Sequence, residues 1–293
     1  MQLETDREAE CRTAIENFPF EAADWKSFEI VRGAPDSSLL ILCDHATNAM
    51  PPKYGALGLQ RGELERHIGY DIGALGVSKA IGRIMRATVI SSNFSRLLID
   101  PNRGEDDPTL IMQISDGAIV RGNAHVDERE RERRLASFYR PYHRAIKAEM
   151  SRMMSRKIVP SILSMHSYTD VWRGVPRKWH AGVLWDRDPR LAVPLMKELR
   201  SDPSLEVGDN EPYSGRLWGN SISEHGTLEG FPHVLLEVRQ DLIGDAKGQI
   251  EWGERIAQCF SAIFGDKEHS KALSEVAFFG AYTDMRAGAR HSL

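Results

Sequence analysis

The 293-residue sequence is 41% hydrophobic and 27% charged, enough to bury the core of one large α/β domain spanning residues 1–293. Its formal net charge of −4 gives no global electrostatic attraction for nucleic acid or an anionic membrane. Three widely spaced cysteines (Cys11, Cys43 and Cys259) with no C-x-x-C pair exclude a disulfide frame and a thiolate metal site, and they fit a reducing compartment.

The first ten residues are rich in acids and lack an apolar core, so no signal peptide is expected there. No stretch approaches the ~18 consecutive apolar residues of a membrane span. The expectation is a cytoplasmic protein with a small-molecule partner, binding neither nucleic acid nor membrane.

Residues 1–37 read as a helical or loose lead-in, with Trp25 and Phe28 packing on the body. Residues 39–43, Leu-Leu-Ile-Leu-Cys, are a continuous apolar run that stops at Asp44 and His45. Such a run ending in a polar cluster predicts a buried strand followed by a loop. Ligands of open α/β sheets lie beyond the carboxyl ends of strands, which puts His45 at the mouth of a site. Pro51, Pro52 and Gly55 mark a loop. Residues 61–67 are charged and helix-compatible, and residues 72–85 carry apolar side chains close to a helical period. Residues 87–91 predict a second strand and residues 95–99 a short third one, ending in Asp100-Pro101-Asn102-Arg103.

A polar loop follows over residues 104–122, with a weak strand signal at 110–114. Residues 127–154 predict a long helix. Its charge run at 128–134 reads as a solvated face with i,i+4 pairs, and Pro141 should kink or interrupt it. A strand over 159–165 again ends in a histidine, His166, followed by a loop over 166–178 rich in Ser, Thr, Asp, Trp and Arg. A strand at 181–185, a helix at 191–200, a polar strand-to-loop segment at 207–214 and a short helix end at 221–226 come next. The late strand at 234–238 carries Glu237 inside an apolar pattern, and a helix at 250–264 precedes a charged tail from residue 266. Strands alternating with helices predict an α/β fold around a mixed, mostly parallel sheet.

Two histidines at the ends of separate apolar strands suggest a metal site, because neutral imidazole is the commonest zinc ligand. A catalytic zinc takes about three protein ligands and keeps an open position. Asp71 is the candidate third ligand; the competing role is a helix N-cap, and Glu63 and Glu65 are lesser rivals. Glu237, a carboxylate in an apolar strand, has the burial that raises the pKa of a general base, although a plain ion pair with Arg239 on the same strand face suits the pattern equally. Arg96 and Arg103 at strand ends suit an anionic substrate, the alternative being an ion pair with Asp100. Arg173, in the loop after His166, is a further candidate clamp. Cys43 reads as a buried small hydrophobe and not as a nucleophile. There is no G-x-S-x-G, P-loop, G-x-G-x-x-G or H-E-x-x-H motif.

These pieces resemble the N-formylglutamate amidohydrolase family. The matching blocks are Asp44-His45-Ala46-Thr47-Asn48 with Pro51-Pro52, then His67-Ile68-Gly69-Tyr70-Asp71-Ile72-Gly73, then the run from Ser95 to Arg103. They continue with Tyr139-Arg140-Pro141-Tyr142-His143, Met165-His166-Ser167 and the run from Leu236 to Leu242, all in the family's order over residues 39–245. The resemblance implies a three-layer α/β fold similar to zinc carboxypeptidases and other zinc-dependent exopeptidases. It implies zinc held by His45, Asp71 and His166. Asn48 stands where those carboxypeptidases have a glutamate ligand, which favours Asp71. It also implies a catalytic Glu237 beside Arg239, and Asn102 and Arg103 as a substrate-carboxylate pair supported by Arg96. The implied reaction cleaves N-formyl-L-glutamate to formate and L-glutamate, as in histidine degradation. Two other expectations remain: a deacylase or carboxypeptidase for another N-blocked amino acid or small peptide, and a non-catalytic binding member without metal.

Overall fold

The computed structural model describes residues 25–60 and 62–282. The chain enters through β1 (Phe28–Val31), so the lead-in contributes an edge strand where a helix or loose segment is expected; its first 24 residues, with Cys11, lie outside the described part. Trp25 packs on the body as expected, donating from Nε1 to Asn93 O at 3.1 Å. β2 (Leu39–Cys43) follows, then α1 (Ala74–Met85) and β3 (Thr88–Ser92). Residues 62–67 form only one short 3-10 turn at Glu63–Glu65, and Arg61 is not described.

The apolar stretch at 95–99 is a turn and not a strand. Leu97, Leu98 and Ile99 are buried in a satellite cluster with Leu110 and Phe138, which explains their hydrophobicity without a sheet. The strand signal near residue 114 becomes a two-residue hairpin, β4 (Ile114–Ser115) and β5 (Ala118–Ile119). The long predicted helix divides in three. The charged α2 (Glu128–Arg134) leads into a π-helical turn at Leu135–Tyr139 and then α3 (Arg140–Ser155), whose first turn holds Pro141. The wider π turn accommodates a proline that would clash within a regular helix, and both its missing N–H and the clash are thus absorbed before α3 begins.

β6 (Ser161–Tyr168) is longer than its apolar run predicts and carries His166 within it. A second hairpin, β7 (Val171–Trp172) and β8 (Val175–Pro176), leads to β9 (Ala181–Leu184) and α4 (Pro189–Arg200). β10 (Val207–Asp209), β11 (His233–Arg239), α5 (Ala246–Gly265) and α6 (Lys267–Leu273) complete the fold. α6 is a helix in a region where sequence gives only a charged tail. Its N-cap Asp266 accepts from two backbone N–H groups, so the charge there is part of the helix start.

The seven-stranded sheet has the order β1-β3-β2-β6-β11-β9-β10. β3, β2, β6 and β11 run parallel, whereas β1 and β9 pair antiparallel with their inner neighbours and β10 runs parallel to β9. Alternation sorts β2 between two layers. Leu39 and Ile41 join Val77, Ile81, Ile256 and Phe260 from α1 and α5, while Leu40 and Leu42 join Tyr142, Ile146 and Met150 from α3. Helices therefore cover both faces, and the central strands are buried throughout. The carboxyl ends of β2, β6 and β11 open at the same edge.

Candidate active site

β2 delivers Asp44 and His45 just past its last residue. On β6, polar Ser164 and His166 face the α3 layer, at alternate positions to Leu163 and Met165. Asp71 arrives on the turn before α1. Gly73, the N-cap of that helix, has φ +81°, and a Cβ there would lie 2.2 Å from Ile243 O, so only glycine lets the turn approach this closely. Asp71 itself is not the N-cap side chain. Its backbone N–H donates to His45 O at 2.9 Å, locking the two loops together.

His45 Nδ1 lies 3.2 Å and His166 Nδ1 2.8 Å from the same oxygen, Asp71 Oδ2. The rings meet edge to face with centroids 4.9 Å apart. One ligand atom from each of the three residues lies within 4.8 Å of the others, and all three residues are buried. The far nitrogen of each ring meets another carboxylate. His45 Nε2 is 2.7 Å from Asp100 Oδ1, and His166 Nε2 is 3.1 Å from Asp44 Oδ2. Those carboxylates are held in turn. Tyr142 donates to Asp44 Oδ1 at 2.7 Å and Ser164 to Asp44 Oδ2 at 2.9 Å, while Arg96 Nη2 donates to Asp100 Oδ2 at 2.8 Å. Imidazoles oriented from behind by carboxylates, with their other nitrogens converging, are the usual second layer of a protein metal site.

Four carboxylates thus crowd around two histidines and Arg96. Burial works against the ionised form of Asp44, Asp71 and Asp100, but the histidines, and Arg96 at Asp100, hold all three below the ordinary carboxylate range. Burial likewise opposes the charge of His166, yet its hydrogen bonds with Asp44 and Asp71 win and raise its pKa. Glu237 goes the other way. Burial pushes its carboxyl up to about 7, and Asp71 adds to the push while His166, His45 and Arg96 oppose it. Glu237 stands opposite His166 in the β6–β11 register, and its Oε2 is buried without a hydrogen-bond partner.

The other sequence candidates divide. Arg96 belongs to the cluster, with a second, longer bond from Nη1 to Asp71 Oδ1 at 3.4 Å. Asn102 supports it from behind, its N–H donating to Asp100 Oδ1 at 2.8 Å and its Oδ1 accepting from Ser221 N at 2.9 Å. Arg103 is bonded to Asn102 O and Thr109 Oγ1, with no carboxylate partner among the described residues. Arg239 turns away from Glu237 to pair with Asp241 at 2.7 Å. Arg173 is exposed on the β7–β8 turn at φ +50°, over the Trp172 ring. Glu63 pairs with Arg66, outside the cluster. Burial raises the Cys43 thiol pKa, which fits an inert core residue. Sequence reasoning missed Asp44, Tyr142 and Ser164 as the support of His166, and Asp100 as the support of His45. The available signals were Asp44 beside His45 and the alternating polar residues within β6.

A sequence model of the family described as N-formylglutamate amidohydrolase matches residues 37–244. The N-formylglutamate deformylase of Pseudomonas aeruginosa is 24% identical over 200 residues, which cover 60% of this chain and 72% of that protein. Among solved structures, a gene product of Agrobacterium tumefaciens superposes with a TM-score of 0.77 at 30% identity, over 83% of this chain and 98% of that one. The N-formylglutamate amidohydrolase of Ralstonia eutropha superposes with a TM-score of 0.62 at 20% identity, over 81% and 96%.

Proposed function

The chain belongs to the N-formylglutamate amidohydrolase family, and we propose that it is a zinc-dependent hydrolase cleaving the N-formyl amide of a small acidic amino acid, with N-formyl-L-glutamate as the leading substrate. The observation that carries this reading is the convergence of His45 Nδ1, His166 Nδ1 and Asp71 Oδ2 beside the unpartnered Glu237 Oε2. Two imidazole nitrogens and one carboxylate oxygen fit a catalytic zinc, which takes three protein ligands and leaves a position open. His45, Asp71 and His166 would hold it, with Asp100 and Asp44 fixing the rings. When bound, the metal supplies Lewis acidity toward the formyl oxygen and acidifies water in its sphere.

Glu237 takes the proton of the attacking water as the C–O bond forms, and returns it to the amide nitrogen as the C–N bond breaks. The products are formate and the free amino acid. A carboxyl raised toward neutrality by burial can both accept and release that proton near pH 7. Arg103 orients a substrate carboxylate. Arg96, already engaged by Asp71 and Asp100, keeps the ligand side of the site in place. Arg239 acts through the chain it holds, its Nη1 donating to Arg177 O at 3.0 Å.

The test is formate release from a panel of N-acyl amino acids by zinc-loaded, chelator-stripped and zinc-restored protein. We expect N-formyl-L-glutamate to lead the panel, with turnover lost on stripping and regained with zinc. Turnover that survives verified removal of metal contradicts the mechanism, and a better N-acetyl or peptide substrate makes the chain a deacylase or peptidase on the same frame.

A further inference from the structure

Arg177 is a cation that the function proposed above leaves unused. After β6 ends at Tyr168, the β7–β8 hairpin brings Trp172 edge-on to His67, with ring centroids 6.2 Å apart, against the loop that carries Asp71. The chain then reaches Arg177. Its guanidinium carbon lies 4.9 Å from the ring centre of Tyr213, 5.3 Å from Trp172 and 5.4 Å from Tyr168. Its main chain is pinned on both sides: the N–H donates to Asp170 O at 2.7 Å, and the carbonyl accepts from Arg239.

The position of this group follows from the sheet. Tyr168 is two residues beyond His166 and so faces the same side of β6, while the β11 register sets Glu237 against His166 and Arg239 against Tyr168. Burial raises the phenol pKa of Tyr213 and the charges of Glu237 and Asp71 add to it, while Arg177, through its charge and its hydrogen bond to the phenol, opposes the rise. Arg177 therefore stands beside Tyr168, two residues past His166, with its carbonyl held by Arg239, two residues past Glu237.

Arg96 is paired with two carboxylates and Arg239 with one. Among the described residues no carboxylate lies within ion-pair distance of Arg177, whose side-chain partners are Thr169, at 3.3 and 3.4 Å from Nη1, and the Tyr213 phenol. Aromatic rings packed against it hold a guanidinium rigid, and its five N–H donors outnumber the neutral partners present here, so it can still take a carboxylate through two parallel hydrogen bonds. Two arginines that make no ion pair among the described residues, Arg103 near Asp100 and Arg177 beside Tyr168, match a substrate with two carboxylates. Building on the function proposed above, we infer that Arg177 binds the side-chain carboxylate of the substrate and makes the enzyme selective for N-acylated dicarboxylic amino acids. The rings around it supply the apolar wall for the methylene groups between the two ends.

The experiment compares wild type with Arg177→Gln and Arg177→Lys on N-formyl-L-glutamate and its neutral isostere N-formyl-L-glutamine, alongside calorimetric binding of glutarate. We expect wild type to favour the glutamate substrate by roughly 10- to 100-fold in kcat/KM, and Arg177→Gln to erase that preference mainly through KM. Arg177→Lys, which keeps the charge but loses the planar fork, should recover only part of it. A preference that survives Arg177→Gln, or a wild type that does not discriminate, overturns the inference while leaving the hydrolase reading intact. A wild type that cleaves neither compound defeats that reading instead. Glutarate binding then decides the inference, which stands if binding is present in wild type and lost in Arg177→Gln, and falls otherwise.

Discussion

Glu237 is the residue on which the proposed chemistry turns. It is 8% exposed, and among the described residues its Oε2 has no hydrogen-bond partner and no cation stands within ion-pair distance, Arg239 being paired with Asp241. Glu237→Gln should lower kcat by ~10²–10⁴-fold with metal content unchanged, as measured by steady-state kinetics beside elemental analysis. The sign of the pH dependence follows from the raised pKa: the base works only when ionised, so activity falls as pH drops through its titration. A bound dication favours the carboxylate, which places the acidic limb of kcat/KM between the ordinary 4.5 and about 7. A limb lying above that window would contradict Glu237 as the base. Asp100 permits a second test. It orients His45 and is not itself in the converging set, so Asp100→Asn should weaken zinc ~10–100-fold without abolishing it, as read by competition with a chromophoric chelator.

Strands and helices show why some features are readable in a sequence and others are not. β2 and β11 are recognisable because their apolar runs match a strand buried on both faces. β6 is recognisable only up to residue 165, since His166 and Ser167 end the apolar run just where the strand, which continues to Tyr168, serves the site. A local rule fails there because function, and not the core, chose the residues. The run at 95–99 misleads in the opposite sense: it is apolar because it fills a satellite cluster, with its N-terminal Ser95 N–H donating to Ala49 O at 2.8 Å. α3 carries a feature that patterning reads as surface. Glu149 is buried, and it accepts from Arg152, from Arg32 beyond β1 at 2.6 Å and from Thr88 on β3 at 3.2 Å. These bonds depress its carboxyl pKa, with Arg152 as the largest cause. A carboxylate depressed in the folded state adds stability above its unfolded value of 4.5, and that contribution is lost as pH falls below it. Glu149→Gln should therefore cost about 1–3 kcal/mol at neutral pH, with a smaller difference from wild type in acid, in denaturant titrations at both pH values.

The site is a product of chain topology. Its proposed ligands come from residues 45, 71 and 166, their supports from 44, 100, 142 and 164, and the proposed base from 237; the parallel order β2-β6-β11 brings them to one edge. Composition and periodicity named His45, His166, Asp71 and Glu237 as candidates, and the resemblance supplied their order. The β6–β11 register that sets Glu237 opposite His166 was beyond both, since register is fixed by pairing across more than sixty residues. The ring-stacked Arg177 was equally hidden, because Tyr168, Trp172 and Tyr213 meet it only after the hairpin folds back. Among the described residues no helix is long and apolar enough to cross a membrane. The proposed hydrolysis depends on the three converging donors holding a metal. The most direct measurement is the metal content of purified protein beside its His45→Ala and His166→Ala variants. About one zinc per chain in wild type, lost in both folded variants, is the predicted result. Wild-type protein that holds no metal and takes up none when zinc is added, or variants that keep it, would contradict the account.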